Sequence, residues 1–189
     1  MKKIILTIAL VVLNFIFTEN ILYSSLFKQT VQVEQLKEEI RYWNFYYEAT
    51  IKYIKEHEGF NKGYSYYCPA GYNTIGYGHV IKANEYFPGR ITESQADALV
   101  RKDFNAALSL LEQNSELTGT KKLAMAHFIF AKGIGSYLRS GLKECVDSNQ
   151  PIEEEILKWC YYTKPDGTKI KSDYAYNIRK WELDLYNQQ

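Results

Sequence analysis

Cysteine is scarce in this 189-residue chain: Cys68, Cys145 and Cys160 are all there is. So small and odd a number excludes a disulfide framework, although Cys145 and Cys160 are free to pair with Cys68 left out. Charge of one sign is lacking too. Twenty-three basic residues stand against 22 acidic ones, a net charge of +1, and no basic run of the kind that nucleic acid requires is present. No HExxH and no paired Cys/His spacing occurs, so nothing in the sequence calls for a metal, and no cofactor is expected. Internal repeats and low-complexity tracts are absent. What is abundant is tyrosine, at 17 positions. A tyrosine ring can serve as a sugar platform, but most are expected in the core and in strands. The length suits one domain with an appendage, and a monomer is expected.

The chain opens with Lys2-Lys3 and then an apolar run over residues 4–17, broken only by Thr7 and Asn14. A basic start and an apolar middle at the extreme N-terminus form an export pattern. Fourteen helical residues span about 21 Å, short of a hydrocarbon core of roughly 30 Å. Thr18, Glu19 and Asn20 make a poor cleavage site, so retention as an uncleaved anchor is favoured over removal. Residues 1–27 are therefore read as a signal peptide or signal anchor, placing the protein in the cell envelope or periplasm, or outside the cell. Residues 28–46 are read as a helical stalk and residues 47–189 as the working domain.

From Val33 the apolar positions fall at Leu36, Ile40, Trp43, Tyr47, Ile51 and Ile54, steps of three and four that describe one helical stripe. The next step reaches Glu58, and Gly59 fits the position just past a helix end. The pattern then changes. Residues 64–68 and 74–81 read as strands around a turn at Pro69, Ala70 and Gly71. Gly76 and Gly78 are spaced for close backbone approach. A carboxylate on the stripe thus meets a glycine-rich turn carrying the Cys68 thiol and the Thr74 hydroxyl. Partial burial there raises a carboxyl pKa, as a general acid near neutral pH requires. His57 and His79 read as structural, with His79 pairing to a carboxylate on the loop that follows it.

Further on, Thr92-x-x-Gln95 is a capping box. It opens a helix with Ala96, Leu99, Val100, Phe104, Ala107, Leu108 and Leu111 on one face. Residues 123–131 are apolar almost all round, a buried central helix ended by Gly133, with His127 a satisfied core histidine. Short helices over residues 142–146 and 152–160, a turn at Pro165-Asp166-Gly167 and a last helix over 174–186 complete the chain.

The string from Cys68 through Thr74 to Ile75-Gly76-Tyr77-Gly78-His79, preceded by Glu58-Gly59-Phe60, resembles the active-site signature of the phage-type lysozymes, the endolysin family of glycoside hydrolases. That signature is a Glu, an Asp or Cys, five residues, a Thr and then Ile-Gly-x-Gly-His. The segments 91–96, 128–135 and 177–186 are similar to the family's inter-lobe helix, its Gly-Ile-Gly segment and its terminal helix. The resemblance implies an α+β, mostly helical fold of two lobes. In it a small β-hairpin lobe and a helical lobe are joined by a long helix, with a cleft between them. It also implies hydrolysis of the β-1,4 bond between N-acetylmuramic acid and N-acetylglucosamine in peptidoglycan. Glu58 would be the general acid, Cys68 and Thr74 would hold water on the opposite face of the sugar, and Gly78 and Val80 would meet the glycan. Two departures stand out: nine residues separate Glu58 from Cys68 where the family has eight, and Ile178 replaces an arginine, leaving Arg179 to pair with Glu182. The extra residue is placed at Asn61-Lys62-Gly63. Two rival readings remain, a non-catalytic peptidoglycan-binding module and a lytic transglycosylase that forms an anhydro sugar.

Overall fold

A computed structural model describes the whole chain except Met1, Lys62, Pro69, Ala70, Pro165 and Gln189, and the side chains of residues 2–13, 15, 16 and 163 also lie outside the description. The chain divides into two compact units, Met1–Asn44 and Phe45–Gln189. Helix α1 (Lys2–Glu58) supplies all of the described first unit and the opening segment of the second. The expected anchor at residues 4–17 falls almost wholly on side chains outside the description. Among the described residues no helix is long and apolar enough to cross a membrane.

In the second unit the stripe does what its spacing predicts. Ile51 and Ile54 are each 1% exposed, and burying two such side chains contributes about 1.5–3 kcal/mol apiece. Tyr53 stacks flat on Trp181 at 3.7 Å between centroids. On another side Lys55 pairs with Asp97 at 2.8 Å, and Arg101 forks onto Glu48 at 2.6 and 2.7 Å. The end of α1 is thereby clamped to two other helices, which fixes where Glu58 emerges.

A three-stranded antiparallel sheet follows, in the order β1 (Tyr66–Tyr67), β2 (Asn73–Ile75), β3 (His79–Val80). Tyr66 pairs with Thr74 and Ile75 with His79. The expected strand over residues 74–81 is in fact two strands folded back on a turn at residues 76–78. Gly76 and Gly78 both hold positive φ there, a conformation that ends a strand and that glycine adopts without strain. Of the expected turn at residues 69–71, Pro69 and Ala70 lie outside the described residues. The Gly71 N–H donates to the Cys68 carbonyl at 2.8 Å and closes it.

Helix α2 (Glu93–Glu112) begins with the capping box, both reciprocal bonds being made between Thr92 and Gln95. Its buried face is the expected one, with Leu99 only half-buried. Helix α3 (Gly119–Lys132) is buried continuously from Leu123 to Ile129 and lies between α2 and α7 (Asp173–Tyr186). Short helices α4 (Ile134–Leu138), α5 (Gly141–Asp147) and α6 (Glu153–Leu157) close the helical lobe. A second antiparallel hairpin, β4 (Tyr161–Thr163) with β5 (Lys169–Lys171), was not anticipated. Cys145 and Cys160 are both free thiols, so the disulfide left open by the sequence is not formed. The fold is the expected mostly helical one with small antiparallel sheets.

Candidate active site

Glu58 is the last residue of α1, where Gly59 turns the chain with φ 69° and donates to the Lys55 carbonyl at 3.0 Å. Its carboxyl is backed by the β2–β3 turn. A Cβ added to Gly78 would stand 3.1 Å from Glu58 Oε2, so glycine is what permits backbone and carboxylate to lie this close. The side chain is exposed on its cleft side, yet protein surrounds the carboxyl elsewhere. Burial accordingly pushes its pKa up from the ordinary value, against smaller opposing pulls from His127 and His57.

The cleft it faces has a volume of about 460 Å³. Glu58 stands in its wall with Gly78, Val80 and Lys82, and Leu110 and Phe130 from the helical lobe face them. An acid, a cation and an apolar wall thus share one groove.

The remaining signature residues are held by the sheet. Cys68, half-buried, has its N–H bonded to the Tyr72 carbonyl at 2.9 Å. Thr74 is 2% exposed and its hydroxyl donates to the Tyr72 carbonyl at 3.0 Å, leaving the oxygen's lone pairs as acceptors. Tyr66 is the strand partner of Thr74. Burial raises its phenol, and the charges of Glu58 and Cys68 raise it further. Tyr174 stands by Glu58. It is exposed, its hydroxyl reaches the His57 carbonyl at 3.4 Å, and its phenol is raised by burial and by Glu58. Sequence reading singled out neither tyrosine, because seventeen of them gave no reason to prefer two.

His79 pairs with Glu85 on the following loop, as expected, at 2.8 Å, and also with Asp103 of α2 at 2.7 Å. It is 2% exposed and ties β3 to the inter-lobe helix beneath the cleft. His127 is the satisfied core histidine foreseen: its Nδ1 lies 2.6 Å from Glu182, which also receives Arg179 at 3.0 Å. Near the extra residue the Tyr64 N–H donates to the Asn61 carbonyl at 3.3 Å and Gly63 has φ 77°, a local turn; Lys62 lies outside the described residues.

Residues 55–172 match the family model described as phage lysozyme. The chain is 31% identical over 116 residues to an endolysin of Acyrthosiphon pisum secondary endosymbiont phage 1, a match covering 59% of this chain and 77% of that protein. Among solved structures it is similar to the muramidase domain of SpmX from Asticaccaulis excentricus, with 23% identity and a TM-score of 0.66 over 75% of this chain and 96% of that one. It is also similar to the endolysin of Escherichia coli O157:H7 phage FAHEc1, with 23% identity and a TM-score of 0.63 over 73% and 90%. At such identities the two structures bear on the fold alone. Taken with the acid, the glycine-backed turn and the cleft, the sequence matches are decisive: the chain belongs to the phage lysozyme family, muramidase-type glycoside hydrolases that act on the peptidoglycan of the cell wall.

Proposed function

We propose that the chain hydrolyses the β-1,4 bond between N-acetylmuramic acid and N-acetylglucosamine, with Glu58 as general acid. The observation that carries this is the Glu58 carboxyl: backed by Gly78, open to the cleft, and raised in pKa by burial. A carboxyl so placed holds its proton to higher pH than an ordinary one, the direction a general acid requires. As the bond from the anomeric carbon to that oxygen breaks, the proton of Glu58 passes to the departing sugar. Water bonds to the anomeric carbon from the opposite face, loses a proton to solvent and leaves an inverted hydroxyl.

Cys68 and Thr74 are assigned to that water. A thiol with an ordinary pKa near ~8.5 is mostly neutral at pH 7 and is a weak base. Its part is to hold the water, as is that of Thr74, whose lone pairs remain after its proton goes to Tyr72. Gly78 and Val80 line the groove for the glycan, and the apolar wall at Leu110 and Phe130 suits the apolar face of a sugar ring. Export to the cell envelope, with residues 4–17 as the membrane-contacting segment, belongs to the same reading.

Mass spectrometry of muropeptides released from purified peptidoglycan tests it. Products ending in reducing N-acetylmuramic acid are expected, and Glu58→Gln should lower their release by about 10²-fold or more. Anhydro ends would assign a transglycosylase instead. Tight binding without release would make the chain a binding module.

A further inference from the structure

The apolar stripe of α1 begins well before the catalytic unit. Within Met1–Asn44, Leu22, Leu26, Val33, Leu36 and Ile40 are between 49% and 63% exposed. With Gln29 and Trp43 they fall at positions 22, 26, 29, 33, 36, 40 and 43, alternate steps of four and three through three heptads. From Trp43 the stripe goes on by four to Tyr47 and by four again to Ile51. The strict alternation stops where the second compact unit starts, at Phe45. Beyond that point the stripe follows the 3.6-residue turn of a helix buried in its own domain. Before it the spacing is a 3.5-residue repeat, the one by which a seam can stay facing another helix.

We infer that this seam is one half of a parallel, two-stranded coiled coil whose other half is a second copy of this chain, in place of the monomer the sequence led us to expect. The residues of the seam favour two strands. Leu26, Val33 and Ile40 take the a positions, and Leu22, Gln29, Leu36 and Trp43 the d positions. β-branched side chains at a with leucine at d favour two parallel strands, a pattern met by Val33 and Ile40 at a and by Leu22 and Leu36 at d, while Gln29 at d can pair with its own counterpart only when the two copies are in register. The flanks agree. Gln32 and Glu39 occupy g, Lys37 and Asn44 occupy e, and all four are exposed. In a parallel pair in register, Gln32 of one copy faces Lys37 of the other and Glu39 faces Asn44, so no like charges oppose. A second copy necessarily brings the same seam in the same phase, which no unrelated partner is bound to do. Residues 22–43 make a rod of about 33 Å at ~1.5 Å per residue. Three heptads are short, so the pairing is reversible and depends on concentration.

The test uses the full chain in a non-ionic detergent, with Leu36→Cys, Ile40→Cys and, on the outer face, Glu38→Cys. After mild oxidation both seam variants should yield at least tenfold more disulfide-linked dimer than Glu38→Cys or the unaltered chain. Sedimentation should show a dimer that Leu36→Lys with Ile40→Lys abolishes while peptidoglycan hydrolysis continues, which separates this proposal from the catalytic one. Equal, weak cross-linking at all three sites with a monomer at every concentration overturns it. Cross-linking at only one seam position means antiparallel strands and overturns it too. So does a monomer whose seam cysteines are shielded from a thiol reagent only by phospholipid vesicles, for then a membrane surface covers the stripe.

Discussion

Two glycines in the β2–β3 turn separate strain from chemistry. Gly76 has φ 64° and Gly78 has φ 86°, so alanine at either is forced into a left-handed backbone at a cost of about 1–3 kcal/mol. What the new methyl meets differs. At Gly76 it would lie 2.9 Å from the Ala96 Cβ, with the α2 backbone directly behind, and overpacking adds roughly 1–3 kcal/mol. At Gly78 it would lie 3.1 Å from Glu58 Oε2, and the carboxylate can yield by a few tenths of an ångström. Gly76→Ala should therefore cost about 4 kcal/mol and Gly78→Ala about 2 kcal/mol. At roughly 2–4 °C per kcal/mol, Tm falls by about 8–16 °C and about 4–8 °C respectively. Activity should run the other way. A misplacement of about 1 Å can cost roughly 10²-fold, so at room temperature Gly78→Ala should lose about tenfold or more in kcat. Gly76→Ala, whose methyl never touches the acid, should stay within about threefold. Circular-dichroism melting and reducing-end release on the same preparations decide the matter. A Gly78→Ala enzyme with undiminished kcat, or two variants whose activities simply follow their Tm, would refute the claim that this turn positions the acid.

Two further predictions concern charge. Glu182 is fully buried against Arg179 and His127, and Nε and Nη1 of Arg179 have no hydrogen-bond partner among the described residues. Glu182→Leu should cost about 3–5 kcal/mol by urea unfolding, while Arg179→Met with Glu182→Leu should regain most of it; a single variant costing under ~1 kcal/mol contradicts the burial argument. The Glu85 carboxyl is held down to about 2, first by Lys102, then by the Lys82 N–H and His79. A carboxyl lowered on folding stabilises fully above its ordinary pKa of 4.5 and loses that contribution as pH falls toward 2. Tm should thus drop through that window less steeply in Glu85→Gln than in the parent, and identical slopes would count against the pairing.

Legibility followed the source of each signal. The α1 stripe, the capping box and the buried α3 helix were readable because helix periodicity and cap chemistry are local in sequence. The family resemblance was readable because one contiguous string, from Glu58 to His79, carries it. The strand expected over residues 74–81 was misread because β-branched and aromatic propensity outweighed Gly76 and Gly78, whose spacing already marked a turn. The β4–β5 hairpin was missed although Tyr161-Tyr162-Thr163 and Lys169-Ile170-Lys171 flank a turn closed by the Gly167 N–H on the Lys164 carbonyl; attention to the turn residues alone left its arms unassigned. Tyr174 and Asp103 were beyond sequence reading, since each reaches the site through a tertiary contact that no spacing encodes. Along the stripe itself, spacing alone did not distinguish Val33, Leu36 and Ile40, which are exposed, from Ile51 and Ile54, which are buried.

Under the proposed mechanism, the location of Glu58 bears on how a site with a thiol at position 68 would keep its acid protonated. A second carboxylate near a general acid helps keep it protonated by repulsion, and Cys68 supplies no such charge while neutral. Glu58 has two other sources of the same bias. It is the final residue of α1, where the unsatisfied carbonyls of the last turn present the negative end of the helix dipole and disfavour an anion. Burial by the Gly78 turn and its surroundings acts in the same direction and is the largest influence on it. Both come from backbone placement, which the clamp of Lys55 on Asp97 and Arg101 on Glu48 secures. On the proposed mechanism the residue at position 68 would then not have to tune the acid and would need only to hold water, a task within reach of a thiol.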